Sequence, residues 1–230
     1  MVWVGDRHDK IGTMYTRGSL HTLLFILAVT VLACSLPSLA APSSVVPAGS
    51  ILFKDDFSSP SSGWDHTKYA EGIMDYDGGG YRMLINALQA NFWSTPHKDF
   101  TDVRIEVDAG KLAGPDENRI GLICRSNGNS YYFFIISSDG YYGLGIFTNG
   151  QAALLGLNEM QSSDKINIGT AVNHLQADCN RDELAFYVNG SQVADIHDTT
   201  LQHGDVGLLA GTFDQPGVDI VFDNFVVLKP

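Results

Sequence analysis

Residues 118–157 read NRIGLICRSNGNSYYFFIISSDGYYGLGIFTNGQAALLGL, and this stretch decides the fold. Its turn signals are Asn127-Gly128, Asp139-Gly140 and Asn149-Gly150. A two-residue hairpin turn of type I′ needs positive φ at both central residues, which Asn-Gly and Asp-Gly tolerate best. The pattern therefore predicts an antiparallel meander of strands over residues 119–126, 130–137, 141–148 and 151–157.

The second strand of this meander is apolar on both faces. Side chains alternate across a sheet, so the run Tyr131–Ile136 places aromatic and aliphatic side chains on each side. An antiparallel sheet usually keeps one face polar. Two interpretations follow: loops cover the outer face of a sandwich, or the aromatics form an open platform.

The third strand suggests a binding surface. Between Tyr141 and Phe147, alternation puts these two aromatics and two glycines on one face and apolar side chains on the other. Sugar rings stack on aromatic side chains, and glycine lets a ligand approach the backbone. We predict ligand contacts at Tyr141 and Phe147, with Arg125 and Tyr187 as polar edges.

The rest of the chain reads as further short strands. The clearest alternation, in residues 100–111, predicts a half-buried strand with a charged outer row. Trp64 and Trp93 are expected in the core. Roughly twelve to fourteen short strands with almost no helix predict an all-β fold, an antiparallel jelly-roll β-sandwich over residues 51–230.

Residues 1–40 predict an export signal. A basic segment precedes the apolar run Leu23–Ala33, which is too short to span a bilayer stably. Two cleavage sites compete. A lipobox-like sequence would leave Cys34 as a lipidated N-terminus at the cell surface, whereas cleavage after Ala40 would release a secreted protein. Residues 41–50 read as a linker.

The charge balance limits the partners. The formal net charge is −12, and no Lys/Arg cluster interrupts it. Nucleic acid is therefore excluded as a partner, and a membrane is expected only through a lipid anchor. The acidity suits an extracellular surface and calcium, and it opposes anionic ligands.

Two cysteines, Cys124 and Cys179, fall in the predicted domain. Alternation places both among apolar neighbours, so both should be buried. In an oxidising compartment they are candidates for a disulfide. The alternative is a pair of buried free thiols that pack as small apolar side chains.

A resemblance to a known superfamily rests on a short set of segments. These are Asp55-Asp56-Phe57 with Gly63-Trp64, Asn173–Asp178, Leu184–Gly190, Gly204–Leu208 and Phe222–Val227. They resemble concanavalin A-like lectin/glucanase domains, which include laminin-G-like modules, family 16 glucanases and 3-keto-disaccharide hydrolase-like domains. The resemblance covers most of residues 51–228 and implies the fold. It leaves lectin, enzyme and adhesion functions open.

The sequence motifs give little support to a catalytic function. Family 16 glucanases carry Glu-x-Asp-x(-x)-Glu on one strand, and the nearest match is Glu106-Val107-Asp108. Retaining hydrolysis uses two carboxylates about 5 Å apart as nucleophile and acid. The final glutamate is missing here, because Ala109, Gly110 and Lys111 follow. The sequence therefore leans towards a non-catalytic protein.

The resemblance also implies a structural calcium ion where the first and last strands meet. Asp56 and Asp223 lie on the matching segments, and Ca²⁺ prefers clustered oxygen ligands. The alternative is that both carboxylates cap local turns.

Together these observations favour an exported cell-surface β-sandwich that binds a glycan or polysaccharide, or serves in adhesion, without catalysis. Two alternatives stay open. One is a glycan hydrolase of the glucanase or 3-keto-disaccharide type, and the other is a structural envelope lipoprotein without a sugar site.

Overall fold

The computed structural model describes residues 46–230, and the predicted export signal with Cys34 lies outside them. Within the described residues, no helix is long and apolar enough to cross a membrane. Residues 46–230 instead form sixteen strands. In chain order, β1 to β16 are Ile51–Asp55, Thr67–Tyr69, Gly72–Asp77, Gly80–Ile85, Asn91–Ser94, Val103–Ala113, Asn118–Ser126, Tyr131–Ile136, Tyr141–Thr148, Gln151–Leu154, Gln161–Ser162, Asn173–Asn180, Glu183–Val188, Ser191–His197, Asp205–Thr212 and Val218–Leu228.

The strands form two antiparallel sheets. The nine-stranded sheet has the order β14-β13-β12-β6-β16-β4-β3-β2, and β1 pairs with β16 beside this path. The seven-stranded sheet has the order β10-β9-β8-β7-β15-β5, and β11 pairs with β9. The predicted all-β jelly-roll sandwich is confirmed.

The meander β7–β8–β9–β10 is present, but only one of its turns has the expected backbone. Asn149 and Gly150 both have positive φ, 53° and 78°, as a type I′ turn requires. In the other two turns only the glycines, Gly128 and Gly140, have positive φ. The Asn127 side chain accepts hydrogen bonds from the amides two and three residues further along, which favours a longer loop there.

The main core lies between the inner faces of the two sheets. On β6, Val103, Ile105 and Val107 are almost fully buried, and the last two pair with Ala177 and Leu175 of β12. Each such side chain stabilises the fold by roughly 1.5–3 kcal/mol through removal from water. The alternation of residues 100–111 therefore sets the inward face of the central strand.

A disulfide joins the two sheets across this core. Cys124 lies on β7 and Cys179 on β12, with their Cα atoms 6.8 Å apart. Both cysteines are fully buried. The predicted disulfide is thus confirmed, and the free-thiol alternative is not what the structure contains.

The opening motif builds one corner of the core. Asp55 is almost buried, and its carboxylate accepts hydrogen bonds from the Phe57 amide at 2.8 Å and from Trp64 Nε1 at 2.9 Å. The Trp64 ring packs edge-on against Phe57 and Phe225, with centroid distances of 5.3 and 4.9 Å. The prediction that Trp64 is a core residue is confirmed.

Candidate functional site

A second apolar cluster covers the outer face of the seven-stranded sheet. It consists of Ile123, Tyr131, Phe133, Ile135 and Leu209, all nearly buried. The inward-facing partners of the β8 residues belong to the main core, as alternation predicts. The outer face is covered largely by its own side chains, so it is neither a wet surface nor a fully open platform.

The predicted glycine floor of β9 is filled by neighbouring side chains. A Cβ atom at Gly145 would lie 2.3 Å from Cζ of Phe133, so the phenylalanine ring occupies the space that glycine leaves. At Gly143, the Leu154 side chain approaches to 3.0 Å of the corresponding position. The close approach that glycine permits is therefore used by the protein itself.

The side chains that fill the glycine positions lie between Tyr141 and Phe147, which the sequence placed on one surface. Tyr141 is 43% exposed and lines a pocket of about 380 Å³ with three acidic residues, Glu117, Asp139 and Glu159. Phe147 is half-buried at the other end of β9 and lines a different cavity. The single platform of Tyr141 and Phe147 that alternation suggested is not formed.

Phe147 belongs instead to an aromatic row, defined here as Trp93, Tyr131 and Phe147. The rings of Tyr131 and Phe147 are stacked with centroids 5.0 Å apart and an interplanar angle of 15°. Trp93 lies 5.7 Å from Tyr131 on the other side. Trp93 is 37% exposed, so the prediction that it is a core residue is wrong. Its strand, β5, is the edge of the sheet, where a side chain on the outer face meets solvent.

Beside this row lies the ring-lined cavity, which has a volume of about 90 Å³. Ligand pockets that enclose a whole drug-sized molecule measure roughly 300–1,000 Å³. The ring-lined cavity can therefore admit one group of a ligand while the remainder lies across the surface. Its lining residues are Asn91, Arg119, Tyr131, Phe133, Ile135, Phe147, Ala152 and Leu209.

Arg119 supplies the charge in the ring-lined cavity. Its Nη1 donates to Oδ1 of Asn91 at 3.0 Å and to the carbonyl oxygen of Thr212 at 2.6 Å. The guanidinium carbon lies 3.8 Å from the centroid of Phe213. Burial lowers the pKa of the Arg119 guanidinium, because the charged form loses hydration. Sequence reasoning missed this residue. The available signal was that Arg119 shares the outer face of β7 with Gly121, two positions further along.

The two predicted polar edges lie elsewhere. Arg125 is 2% exposed and has a positive φ of 52°, which turns its side chain into the protein. Its guanidinium donates to the carbonyl oxygens of Thr101 and Leu201, at 3.3 and 2.8 Å. Burial lowers the pKa of Arg125, the nearby Asp102 carboxylate opposing this shift. Arg125 thus fixes two loops rather than facing a ligand.

Tyr187 lies on the opposite side of the sandwich. It belongs to β13 and pairs with Gln176 on the nine-stranded sheet. Its neighbours Phe186 and Val188 face the main core, so Tyr187 points outward from that sheet. The structure does not bring Tyr187 together with the aromatic row.

The glucanase-like carboxylates also lie on the outer face of the nine-stranded sheet. Nδ1 of His174 is 2.8 Å from Asp108, and its Nε2 is 3.8 Å from Glu106. Arg104 forms a two-pronged hydrogen-bonded pair with Asp178. These groups form a polar network on the face away from the ring-lined cavity.

The predicted calcium ligands do not form a ligand set in the structure. Asp56 accepts hydrogen bonds from the amide and hydroxyl of Ser58, and Asp223 accepts one from the Asn224 amide. The two carboxylates line different surface pockets. Within residues 46–230, no group of three or more His, Cys, Asp or Glu side chains is arranged to hold a metal ion. Calcium binding stays a prediction.

Comparison with known proteins identifies the fold. No family model matches the sequence, and no curated protein matches it. The carbohydrate-binding module CBM66 from Bacillus subtilis superposes with a TM-score of 0.60 at 19% identity, covering 73% of this chain and 96% of that one. The laminarinase catalytic domain from Thermotoga maritima superposes with a TM-score of 0.58 at 10% identity, covering 80% and 99%.

A third structure, a protein of unknown function with a galectin-like fold from Bacillus subtilis, has a TM-score of 0.58 at 13% identity. It covers 80% of this chain, which in turn covers 97% of it. The chain therefore has the concanavalin A-like β-sandwich fold that the sequence segments implied. At these identities the likeness establishes the fold alone.

Proposed function

We propose that the protein is an exported β-sandwich module that binds a carbohydrate on the outer face of the seven-stranded sheet without cleaving it. The observation that carries the proposal is the aromatic row beside the ring-lined cavity. Trp93 and Phe147 present accessible ring surface, and Asn91 and Arg119 supply polar groups at its edge. Apolar surface with a few fixed polar groups suits a sugar, which has apolar ring faces and hydroxyl edges.

The fold comparisons support a glycan ligand at a coarse level. The similar structures include one described as a carbohydrate-binding module and one described as a laminarinase catalytic domain. Both binding and hydrolysis therefore occur on this fold, and the choice between them depends on the side chains of the site.

Binding without cleavage is supported by the lining of the ring-lined cavity, in which no Asp or Glu takes part among the described residues. Glycoside hydrolysis generally requires a pair of carboxyl groups that flank the scissile bond. The pair Glu106 and Asp108 lies on the other sheet and is engaged with His174. Trp93, which is 37% exposed, gives the outer face an accessible ring that a purely structural role does not require.

We include export in the proposal, with lipid attachment at Cys34 or free secretion as the two products of the export signal. Both place the domain outside the cytoplasm, where its disulfide persists. Fractionation of the expressing bacterium separates them. A lipoprotein is found with the membranes and is released by Cys34→Ser, whereas a secreted protein is in the soluble fraction in both cases.

The binding proposal is tested on a glycan array and by affinity electrophoresis with soluble polysaccharides, with and without calcium. We expect Trp93→Ala and Phe147→Ala each to weaken binding roughly tenfold or more, since central aromatics dominate such interfaces. Tyr187→Ala, on the opposite sheet, is the matched control and should bind normally. Failure of the unaltered protein to bind any glycan, with its fold verified by circular dichroism, would refute the proposal.

A further inference from the structure

Arg119 differs from the other arginines that are buried or half-buried in residues 46–230. Arg82 pairs with Asp77 and Asp219, Arg104 pairs with Asp178, and Arg125 has Asp102 at 3.5 Å. No carboxylate of the described residues lies within salt-bridge distance of Arg119, whose acceptors are the neutral oxygens of Asn91 and Thr212.

A half-buried charge without a counter-ion is unfavourable. Removing a guanidinium from water costs free energy that hydrogen bonds to neutral acceptors offset only in part. The stack on Phe213 contributes a cation–π attraction but no negative charge. The protein therefore holds a cation in the wall of the ring-lined cavity that an anion entering the cavity would neutralise.

The hydrogen-bonding pattern also leaves a defined edge of the guanidinium available. Both hydrogen bonds of Arg119 use Nη1. The Nε–H and Nη2–H groups donate to no residue in the described part of the chain. Nε and Nη2 together form the planar fork that binds two oxygens of a carboxylate or related anion in parallel.

We propose that Arg119 binds the anionic group of an acidic glycan, a carboxylate or a sulfate ester, while the sugar ring packs on the aromatic row. This inference rests on the proposed function and adds the chemical class of its ligand. The shared chemistry is a pair of anionic oxygens on a sugar.

The distribution of charge around the site refines the ligand. The net charge of −12 led us to expect that anions would be disfavoured, but it describes the whole chain rather than the cavity. The wall of the ring-lined cavity carries the cation Arg119. The pocket at Tyr141, at the other end of β9, is lined by Glu117, Asp139 and Glu159. A glycan with one charged sugar among neutral ones fits this pattern, and a chain charged at every sugar would be repelled.

The test compares charged and neutral glycans of otherwise matched structure by titration calorimetry. The pairs are glucuronoxylan with unsubstituted xylan, sialyllactose with lactose, and a sparsely sulfated galactan with its desulfated form. They distinguish a carboxylate from a sulfate source. We expect one charged member to bind roughly ten- to a hundredfold more tightly than its neutral partner, because hydrogen bonds to charged groups are the stronger class. That preference should weaken as salt is raised.

Three variants assign the preference to this residue. Arg119→Gln should abolish the preference for the charged member, and Arg119→Lys should retain part of it, since the charge remains but the fork is lost. Arg104→Gln makes the same charge change on the opposite sheet and should leave the preference intact. Thermal unfolding of each variant verifies that it is folded, and Arg119→Lys with the unaltered protein still decides the matter if Arg119→Gln does not fold.

Two results would overturn the inference while leaving the proposed function in place. One is equal affinity for charged and neutral members of every pair that binds, and the other is a charge preference that survives Arg119→Gln. Absence of binding to every glycan in the panel is a different result, since it would remove the proposed function itself.

Discussion

Removing the Cys124–Cys179 disulfide should lower stability by an amount that follows from its place in the chain. The two cysteines are 55 residues apart in sequence and connect β7 to β12. In the chain-entropy model a closed loop of this length stabilises the native state by about 4 kcal/mol. For a protein of this size, each kcal/mol shifts the melting temperature by roughly 2–4 °C. The expected decrease on removal is therefore about 8–16 °C.

The measurement is thermal and urea unfolding of the Cys124→Ala/Cys179→Ala double variant beside the oxidised protein. The reduced protein serves as the control, because its thiols keep nearly the volume of the disulfide and leave no cavity. A decrease of less than about 3 °C in both samples would refute the loop-entropy reasoning. It would show that the unfolded chain already holds this loop closed or that native strain cancels the gain.

Two further predictions concern the seven-stranded sheet. Gly145→Ala should destabilise the protein by roughly 1–3 kcal/mol through overpacking, since the added Cβ would lie 2.3 Å from both the Phe133 ring and a backbone carbonyl. Urea unfolding measures the loss, and an unchanged midpoint would contradict the close packing described. Burial raises the pKa of Tyr131 and of Tyr132 to about 12, above the value near 10 of an unfolded chain. The unfolded state releases these protons first, so the free energy of unfolding should fall as pH rises from about 10 towards 12. Phenolate absorbance follows all the tyrosines together, and complete ionisation of the native protein near pH 10 would disprove the shift.

Local patterns in the sequence located most strands and their inward faces, although the fourth strand of the meander ends at Leu154 rather than at residue 157. Alternation in residues 100–111 and 131–136 assigned the core side chains correctly, because period-two burial is a property of each strand alone. The number of short strands and the resemblance to concanavalin A-like domains both predicted the sandwich. The hydrogen bond between Trp64 and Asp55 also lies within the opening motif on which the resemblance was based.

The site was harder to predict because it depends on which strands become neighbours. Trp93 reaches Tyr131 only because β5 joins the sheet beside β15, which pairs with β7, and no local pattern encodes that order. The prediction that Arg125 faces a ligand was wrong for a different reason. A left-handed backbone at this position breaks the alternation of β7, by which the residue after the buried Cys124 would face outward. The filled glycine positions depend on the size and direction of side chains from adjacent strands.

The seven-stranded sheet keeps two apolar clusters apart, one on each of its faces. Residues of the aromatic row can therefore be exchanged during evolution without opening a void in the main core. Phe147 and Trp93 are both partly exposed, so replacing either one would change the proposed recognition surface at a small cost in folding. Such a separation lets ligand preference diverge among descendants of one stable scaffold, and it favours directed evolution at these two positions as a route to new binding specificities.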